Sequence, residues 1–305
     1  MTMKMKHDMK AILGEDFFKE EVKCDYSISE AQKMIWAMEM DLYLVFVEIC
    51  QKYDLQYFVM YGSLLGAVRH NGFIPWDDDI DVGMPRKDYD TFIKVAPKEL
   101  SEPYALQCPY TYPNCYITNI TLRNEMGTFT PKVFKTLDYN KGIPLDVFPF
   151  DYCDPNTASQ ERERIFEHIM KCASWMKMQC TDLAEDQKNT CLKYKTDSPL
   201  YHWEMIQRIA SNPDYIGSDY MTMVVQIPNI KRNPCIYRTE WFASTVMHKF
   251  ETIEVPVPIG WDGTLTTYYG PDYMQFPPIE ARGAINDKII VDPFTPYKRK
   301  FSMLK

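Results

Sequence analysis

The sequence predicts a mixed α/β (α+β) fold, in which helices flank a mixed sheet and a mainly helical segment is inserted. Three observations predict it. Strand-length apolar runs at 57–60, 80–84 and 143–148 alternate with segments of helical period. Hydrophobic residues make up 46% of the 305 positions and charged residues 25%, an ordinary globular mix. The longest apolar run, Leu42 to Val47, is closed by Asp41 and Glu48, far short of the ~20 residues that span a bilayer.

The elements follow in order. Residues 1–25 are Met- and Lys-rich without a clear period and read as a loose arm or short helix. Ser27 with Glu30 fits a capping box. Met34, Ile35, Met38, Leu42, Val45, Phe46 and Ile49 then recur at helical spacing, so 28–52 reads as a long amphipathic helix. Tyr57 to Met60 reads as a short buried strand. It runs into Gly62-Ser63, and Leu64 to Val68 opens a helix. Ile80 to Met84 is a second strand, and Lys87 to Val95 is a helix that stops before Pro97. Tyr104 to Cys108, Tyr116 to Arg123 and Ile143 to Phe148 are further strands. Thr157 with Gln160 suggests another capping box, followed by the helical face Ile165, Ile169, Cys172 and Met176. A second helix follows Pro199 through Trp203, Ile206 and Ile209, and from Thr252 on Pro and aromatic residues indicate strands and loops. The expected organisation is an arm and long helix over 1–54 and a motif-bearing core over 55–154. A mainly helical insertion over 155–250 and a C-terminal segment over 251–305 complete it.

Charge and cysteine usage narrow the function classes. With 34 basic and 42 acidic residues the net charge is −8, which argues against nucleic acid as a partner. An anionic substrate would need local Arg, Lys, backbone amides or a metal. No apolar leader follows Met1-Thr2-Met3-Lys4, so no secretory signal is expected. The nine Cys are odd in number, irregularly spaced and free of C-x-x-C, which suits reduced thiols in a cytoplasmic protein. His168, Cys172 and Cys180 come nearest to zinc spacing. Cys108 and Cys115 could contribute, with buried thiols as the plainer reading.

The chemistry concentrates between Tyr61 and Gly83. Four of the 12 Gly, namely Gly62, Gly66, Gly72 and Gly83, fall there. Backbone amides at Gly62-Ser63, between a strand and a helix, can cradle a phosphate. Asp77, Asp78, Asp79 and Asp81 follow. On a strand Asp79 and Asp81 share one face, with Ile80 and Val82 turned into the core. Adjacent carboxylates repel unless a cation lies between them, and Mg²⁺ or Mn²⁺ suits oxygen ligands. The plain alternative is a solvated acidic loop. Asp146 is a single charge in the apolar run Gly142-Ile143-Pro144-Leu145-Asp146-Val147-Phe148-Pro149. It either completes a three-carboxylate site or caps a turn or pairs with a base such as Arg123.

Together, Gly62-Ser63, the run from Arg69 to Val82 ending in Trp-Asp-Asp-Asp-Ile-Asp-Val, and Leu145-Asp146-Val147-Phe148-Pro149 resemble the LicD family. That family is related to fukutin and fukutin-related protein, within the nucleotidyltransferase-fold superfamily. The resemblance is dense over about 55–150. A weaker patch lies at Tyr269-Gly270-Pro271-Asp272-Tyr273-Met274 with Pro277-Pro278 and Arg282. It implies a nucleotidyltransferase-type sheet and a phosphotransferase that moves a phospho-head-group, phosphocholine first, from a CDP-linked donor to a glycan hydroxyl. The fukutin-like relatives point instead to CDP-ribitol. By the same resemblance Asp79 and Asp81 hold Mg²⁺ or Mn²⁺, Asp146 is the third carboxylate, and Asp77 and Asp78 are extra ligands or lie just behind them. The cysteine zinc site of fukutin-related protein does not carry over, because the Cys here sit elsewhere.

Arg69 and His70 are candidates for the donor phosphates. Trp76, Trp261, Tyr268, Tyr269, Tyr273 and Arg282 are candidates for the head group or acceptor, since aromatic faces suit a quaternary ammonium. Nucleotidyl transfer, CDP-alditol transfer and a catalytically silent nucleotide- or glycan-binding relative remain as alternatives. The intact Asp79, Asp81 and Asp146 argue against the silent one. No transmembrane segment is expected, and peripheral association with a membrane-bound glycan precursor would bring the acceptor within reach.

Overall fold

The computed structural model describes residues 5–180, 183–223, 235–283 and 288–302; residues 1–4, the start of the Met- and Lys-rich arm, lie outside them. The arm forms a short helix, α1 (Met9–Leu13), whose cap Asp8 accepts a hydrogen bond from the Ala11 amide. A hairpin of β1 (Glu21–Lys23) and β2 (Tyr26–Ile28) follows. Helix α2 (Glu30–Lys52) is capped by Ser29, which accepts from the Gln32 amide; Ser27 lies in the hairpin and donates to Glu20 instead. Polar Gln32, Lys33, Glu39 and Asp41 are buried along α2 together with its apolar stripe.

Strand β3 (Phe58–Val59) turns into α3 (Tyr61–Arg69) within two residues. Tyr61 makes that turn at φ 49°, a left-handed conformation strained for a side chain. β4 (Asp81–Pro85) and α4 (Arg86–Glu99) come next. Pro97, expected beyond the helix, sits inside its last turn, where its missing N–H forfeits one bond. β5 (Tyr104–Gln107), β6 (Ile120–Asn124), β7 (Thr128–Pro131) and β8 (Ile143–Tyr152) complete the motif-bearing half.

Three helices follow: α5 (Ala158–Met178), α6 (Glu185–Lys193) and α7 (Pro199–Ala210). The Thr157–Gln160 box does not form, because the Thr157 hydroxyl bonds Tyr215 and the Asp154 carbonyl rather than the helix. Only Cys191 of α6 is buried, so it shows no apolar stripe to read. Past Ala210 the expected helical insertion returns to strands. These are β9 (Tyr220–Thr222), β10 (Ile236–Arg238) and β11 (Thr245–Phe250); β12 (Ile253–Pro258) lies beyond 250, where strands were expected. In β11 the period was two, with Val246, His248 and Phe250 turned inward from their neighbours. α8 (Trp261–Tyr269), where strands and loops were expected, ends at Gly270, φ 95°. β13 (Ile289–Asp292) pairs with β7, and α9 (Tyr297–Phe301) follows.

Among the described residues the main sheet has seven strands. β8 is its hub. It runs parallel to β4 and antiparallel to β6 and β9, while β3 joins β4 and β5 joins β6. The large core lies among α2, α3, α4, the sheet and the β11–β12 hairpin. A separate core joins α5 and α7 to the segment 115–139, and the Trp203 indole N–H donates to the Ile117 carbonyl at 2.8 Å. None of the nine Cys is in a disulfide. His168 contacts His202, nitrogen to nitrogen at 2.8 Å, while Cys172 and Cys180 turn to backbone carbonyls, so the zinc spacing is not gathered. No described helix is long and apolar enough to cross a membrane.

Candidate active site

The parallel register of β4 and β8 sets Asp81 opposite Asp146, and β6 sets Thr121 opposite Asp146 from the other edge. Residues opposite one another on a ladder share a face, so Thr121, Asp146 and Asp81 form one row. Thr121 Oγ1 donates to Asp146 Oδ1 at 2.6 Å. Arg123, the alternative partner for Asp146, turns away to Gln107 Oε1 and the Gly142 carbonyl. The Asp81 amide donates to Ser63 Oγ at 2.9 Å, which fastens the start of β4 to the first turn of α3. Ile80 and Val82 are buried on the opposite face.

Asp77, Asp78 and Asp79 lead into this row, each offering an oxygen within 4.8 Å of the other two. Among the described residues this is the tight carboxylate set, rather than the expected trio Asp79, Asp81 and Asp146. Helix α2 holds the loop from behind. Gln32 Nε2 donates to the carbonyls of Pro75 and Asp77, both at 3.1 Å, and Trp36 Nε1 to that of Asp77 at 2.9 Å. Asp77 Oδ2 lies 2.0 Å from where a Cβ on Gly62 would stand, so only glycine lets the carboxylate approach. A carboxylate at the N-terminus of α3 also complements the helix dipole. Gly62 and Ser63, expected to cradle a phosphate, therefore seat Asp77 and Asp81 in this structure.

The cluster is electrostatically loaded. Burial, and then the neighbouring carboxylates, push Asp79 and Asp81 well above the usual carboxylate range; Asp146 is the foremost neighbour acting on Asp81. Burial and then Asp78 bring Asp77 up to about 7. Among the described residues no ion pair reaches Asp77, Asp78, Asp79 or Asp81. The sequence reading missed Glu39 of α2. It is 0% exposed, and neither of its oxygens has a partner. Its signal was its register, since Ile35, Glu39, Leu42 and Phe46 follow the inward stripe. Crowded carboxylates, one of them orphaned and none ion-paired among the described residues, are the hard-oxygen donor set of a divalent cation, and these residues fit one.

A cavity of about 490 Å³ opens beside Asp77, lined by Arg69, Trp76, Tyr269, Asp272, Tyr273 and Phe276 among others. Asp272 and Phe276 were not singled out from the sequence, although Asp272 lies inside the C-terminal motif. Arg69 Nη1 donates to the carbonyls of Tyr273 and Gln275, at 2.7 and 3.0 Å. Arg282 donates to those of Pro277 and Cys24. Arg69 thus ties the C-terminal motif to α3, and Arg282 ties it to the turn of the β1–β2 hairpin. His70 stacks on Phe276 with centroids 5.3 Å apart and accepts from Arg69 Nε. Burial, and then Arg69, bring His70 down to about 4, so its imidazole is neutral. The Arg282 guanidinium lies 4.6 Å from the Trp76 ring centre, which takes a face offered to a ligand cation. Tyr269 is exposed at the cavity. Tyr268 packs on Tyr61 and Tyr269, and Trp261 packs edge-on to His248; neither lines the cavity.

Residues 54–159 match the family described as LicD/FKTN/FKRP, nucleotidyltransferase domain. That span covers α3, the acidic loop, β4 and β8, where the motif resemblance was dense. The chain is 28% identical over 258 residues to the lipopolysaccharide cholinephosphotransferase LicD of Haemophilus influenzae, covering 77% of this chain and 88% of that protein. An uncharacterized protein of Rickettsia typhi is 36% identical over 74 residues, covering 24% of this chain and 23% of its own length. One from Rickettsia prowazekii is 35% identical over 68 residues, covering 22% and 26%.

Proposed function

We propose that this LicD-like chain is a phosphotransferase that moves phosphocholine from a CDP-activated donor to a hydroxyl of a cell-surface glycan or its precursor. It would work in the cytoplasm, at the face of a membrane-bound acceptor. The observation that carries the reading is the convergence of Asp77, Asp78, Asp79, Asp81 and Asp146 at one end of the β4–β8 pair, beside a cavity and inside the family-matched span. Likeness across 88% of a lipopolysaccharide cholinephosphotransferase supports the head group and acceptor class.

Phosphoryl transfer needs in-line positioning and charge neutralisation more than covalent help. Asp79 and Asp81, with Asp77 and Asp78 beside them, would hold Mg²⁺ or Mn²⁺. Such an ion supplies neutralisation of the donor pyrophosphate. Asp146 stands next in the row with one oxygen fixed by Thr121, leaving the other to accept the acceptor's proton. The acceptor oxygen then bonds the phosphorus that bears the head group, and CMP departs. The cavity offers the exposed Tyr269 ring to a choline cation.

A ³¹P NMR time course tests this. The protein is incubated with Mg²⁺, a lipopolysaccharide acceptor and, separately, CDP-choline, CDP-ribitol, CDP-glycerol or CDP-ethanolamine. CDP-choline should yield CMP and a phosphodiester, and EDTA should stop both. Turnover of an alditol donor alone would move the head group and keep the mechanism. In a further arm with CTP and phosphocholine, release of pyrophosphate, with no CMP from any CDP donor, would replace it with nucleotidyl transfer.

A further inference from the structure

Helix α2 carries two buried carboxylates, two residues apart, with opposite surroundings. Asp41 is 0% exposed and fully partnered; it accepts from the His7 amide at 3.0 Å, from His7 Nδ1 at 2.9 Å and from the Tyr104 hydroxyl. Glu39 is equally buried, yet neither oxygen has a hydrogen-bond partner. Leaving a buried carboxylate unpaired is strongly unfavourable. Its position shows what it faces. Gln32 and Trp36, seven and three residues earlier on the same side of α2, donate to the Asp77 carbonyl. Glu39 continues that line beneath the acidic loop, and Asp79 is the foremost charge acting on it, ahead of Asp78, Asp77 and Asp81.

We propose that Glu39 belongs to the cation site: a carboxylate supplied from the core side, so that the ion is held between α2 and the Asp77–Asp81 segment. This rests on the divalent-cation reading above. It gives the orphaned oxygens a partner without any base from the chain. It also makes α2 part of the active site, although the family-matched span begins at residue 54.

The test uses the full chain stripped with EDTA and Mn²⁺ alone as probe. Calorimetric titration and thermal melts compare the parent with Glu39→Gln, Glu39→Met and, as a control, Asp41→Asn. The parent should bind Mn²⁺ and melt higher with it. Glu39→Gln should bind about 10–100-fold more weakly and lose most of that rise, as removal of a supporting carboxylate does at metal sites. Metal-free Glu39→Met should melt at or above the parent, because it removes an unpartnered buried carboxyl group, and Glu39→Gln, which leaves an unpartnered amide in its place, should melt near the parent. Should the amide variant not fold, Glu39→Met carries the affinity comparison. Asp41→Asn should lower the melting temperature and leave Mn²⁺ affinity unchanged. Parent-like affinity in the folded Glu39 variants overturns the proposal and leaves the cation reading standing. No Mn²⁺ binding by the parent overturns both.

Discussion

At the C-terminal end of the parallel β4–β8 pair, Asp151 is 0% exposed and Arg86 closes on it with two hydrogen bonds, of 2.6 and 2.7 Å. Gln207 of α7 takes a third Arg86 nitrogen at 2.9 Å. At the other end of the same pair, Asp81 and Asp146 lie side by side, with Asp79 and the orphaned Glu39 close by and no basic partner on any of the four among the described residues. Both ends bury a carboxylate on β8 or β4. One supplies its own counter-charge and is finished by folding. The other is left electrostatically incomplete, and we infer that a divalent cation completes it. Burial alone therefore does not separate a structural acid from a functional one; the presence of an internal partner does.

The largest effect expected of that contrast is on turnover. Asp146→Asn should lower kcat by ~10²–10⁴-fold, the range for loss of a general base, and keep most metal-dependent donor binding. Asp79→Asn should lose donor binding as well, measured by calorimetry with and without Mn²⁺. Next comes the finished end. Asp151→Asn, which strands Arg86, should cost about 3–5 kcal/mol in denaturant unfolding, the usual penalty for breaking a buried pair, and leave Mn²⁺ affinity untouched. A smaller change is expected for Thr121→Val, which removes one hydrogen bond to a carboxylate, worth about 1.5–3 kcal/mol. Steady-state kinetics should show it in kcat rather than in KM.

The most gradual effect is a pH slope. Without metal, Asp77, Asp79, Asp81 and Glu39 all titrate above the usual carboxylate range, chiefly through burial. The folded chain then keeps protons that the unfolded chain releases near pH 4. That contribution is full below the unfolded value and is lost as pH rises through about 7, where Asp77 titrates. Melting temperatures of EDTA-treated protein should fall from about pH 5 to about pH 8, and Mn²⁺ should flatten the slope. A stability that rises over that window would break the comparison.

The same contrast explains what was legible in the sequence. Asp77–Asp81 and Asp146 were readable because each is a charge placed against a short apolar run, a local pattern. Ile80 and Val82 set the face of Asp81 by period two, and the structure buries both; it buries Asp81 as well, and β4 starts at that residue, so Asp79 precedes the strand. Glu39 was not readable in that way. Inside a long amphipathic helix a single Glu looks solvated, and only the inward register of Ile35, Leu42 and Phe46 marks it. The jobs of Gly62 and Ser63 depend on Asp77 and Asp81, 15 and 18 residues on, which only the folded chain brings to them. Strands β9 and β10 are three residues each, too short for any period, and α6 lacks an apolar stripe because it is largely exposed. Trp76 was readable as an aromatic at the site; that Arg282 covers one face comes from a contact 206 positions away.

The central claim is that the incomplete end of β4–β8 is a divalent-cation site. Electron paramagnetic resonance of Mn²⁺ titrated into metal-free protein tests it most directly, because bound ion leaves the sharp aqueous signal. The parent and Asp151→Asn should remove Mn²⁺ from solution with the same affinity, and Asp79→Asn and Asp81→Asn should not. Equal uptake by Asp79→Asn, Asp81→Asn and the parent, or none by the parent, would contradict the account.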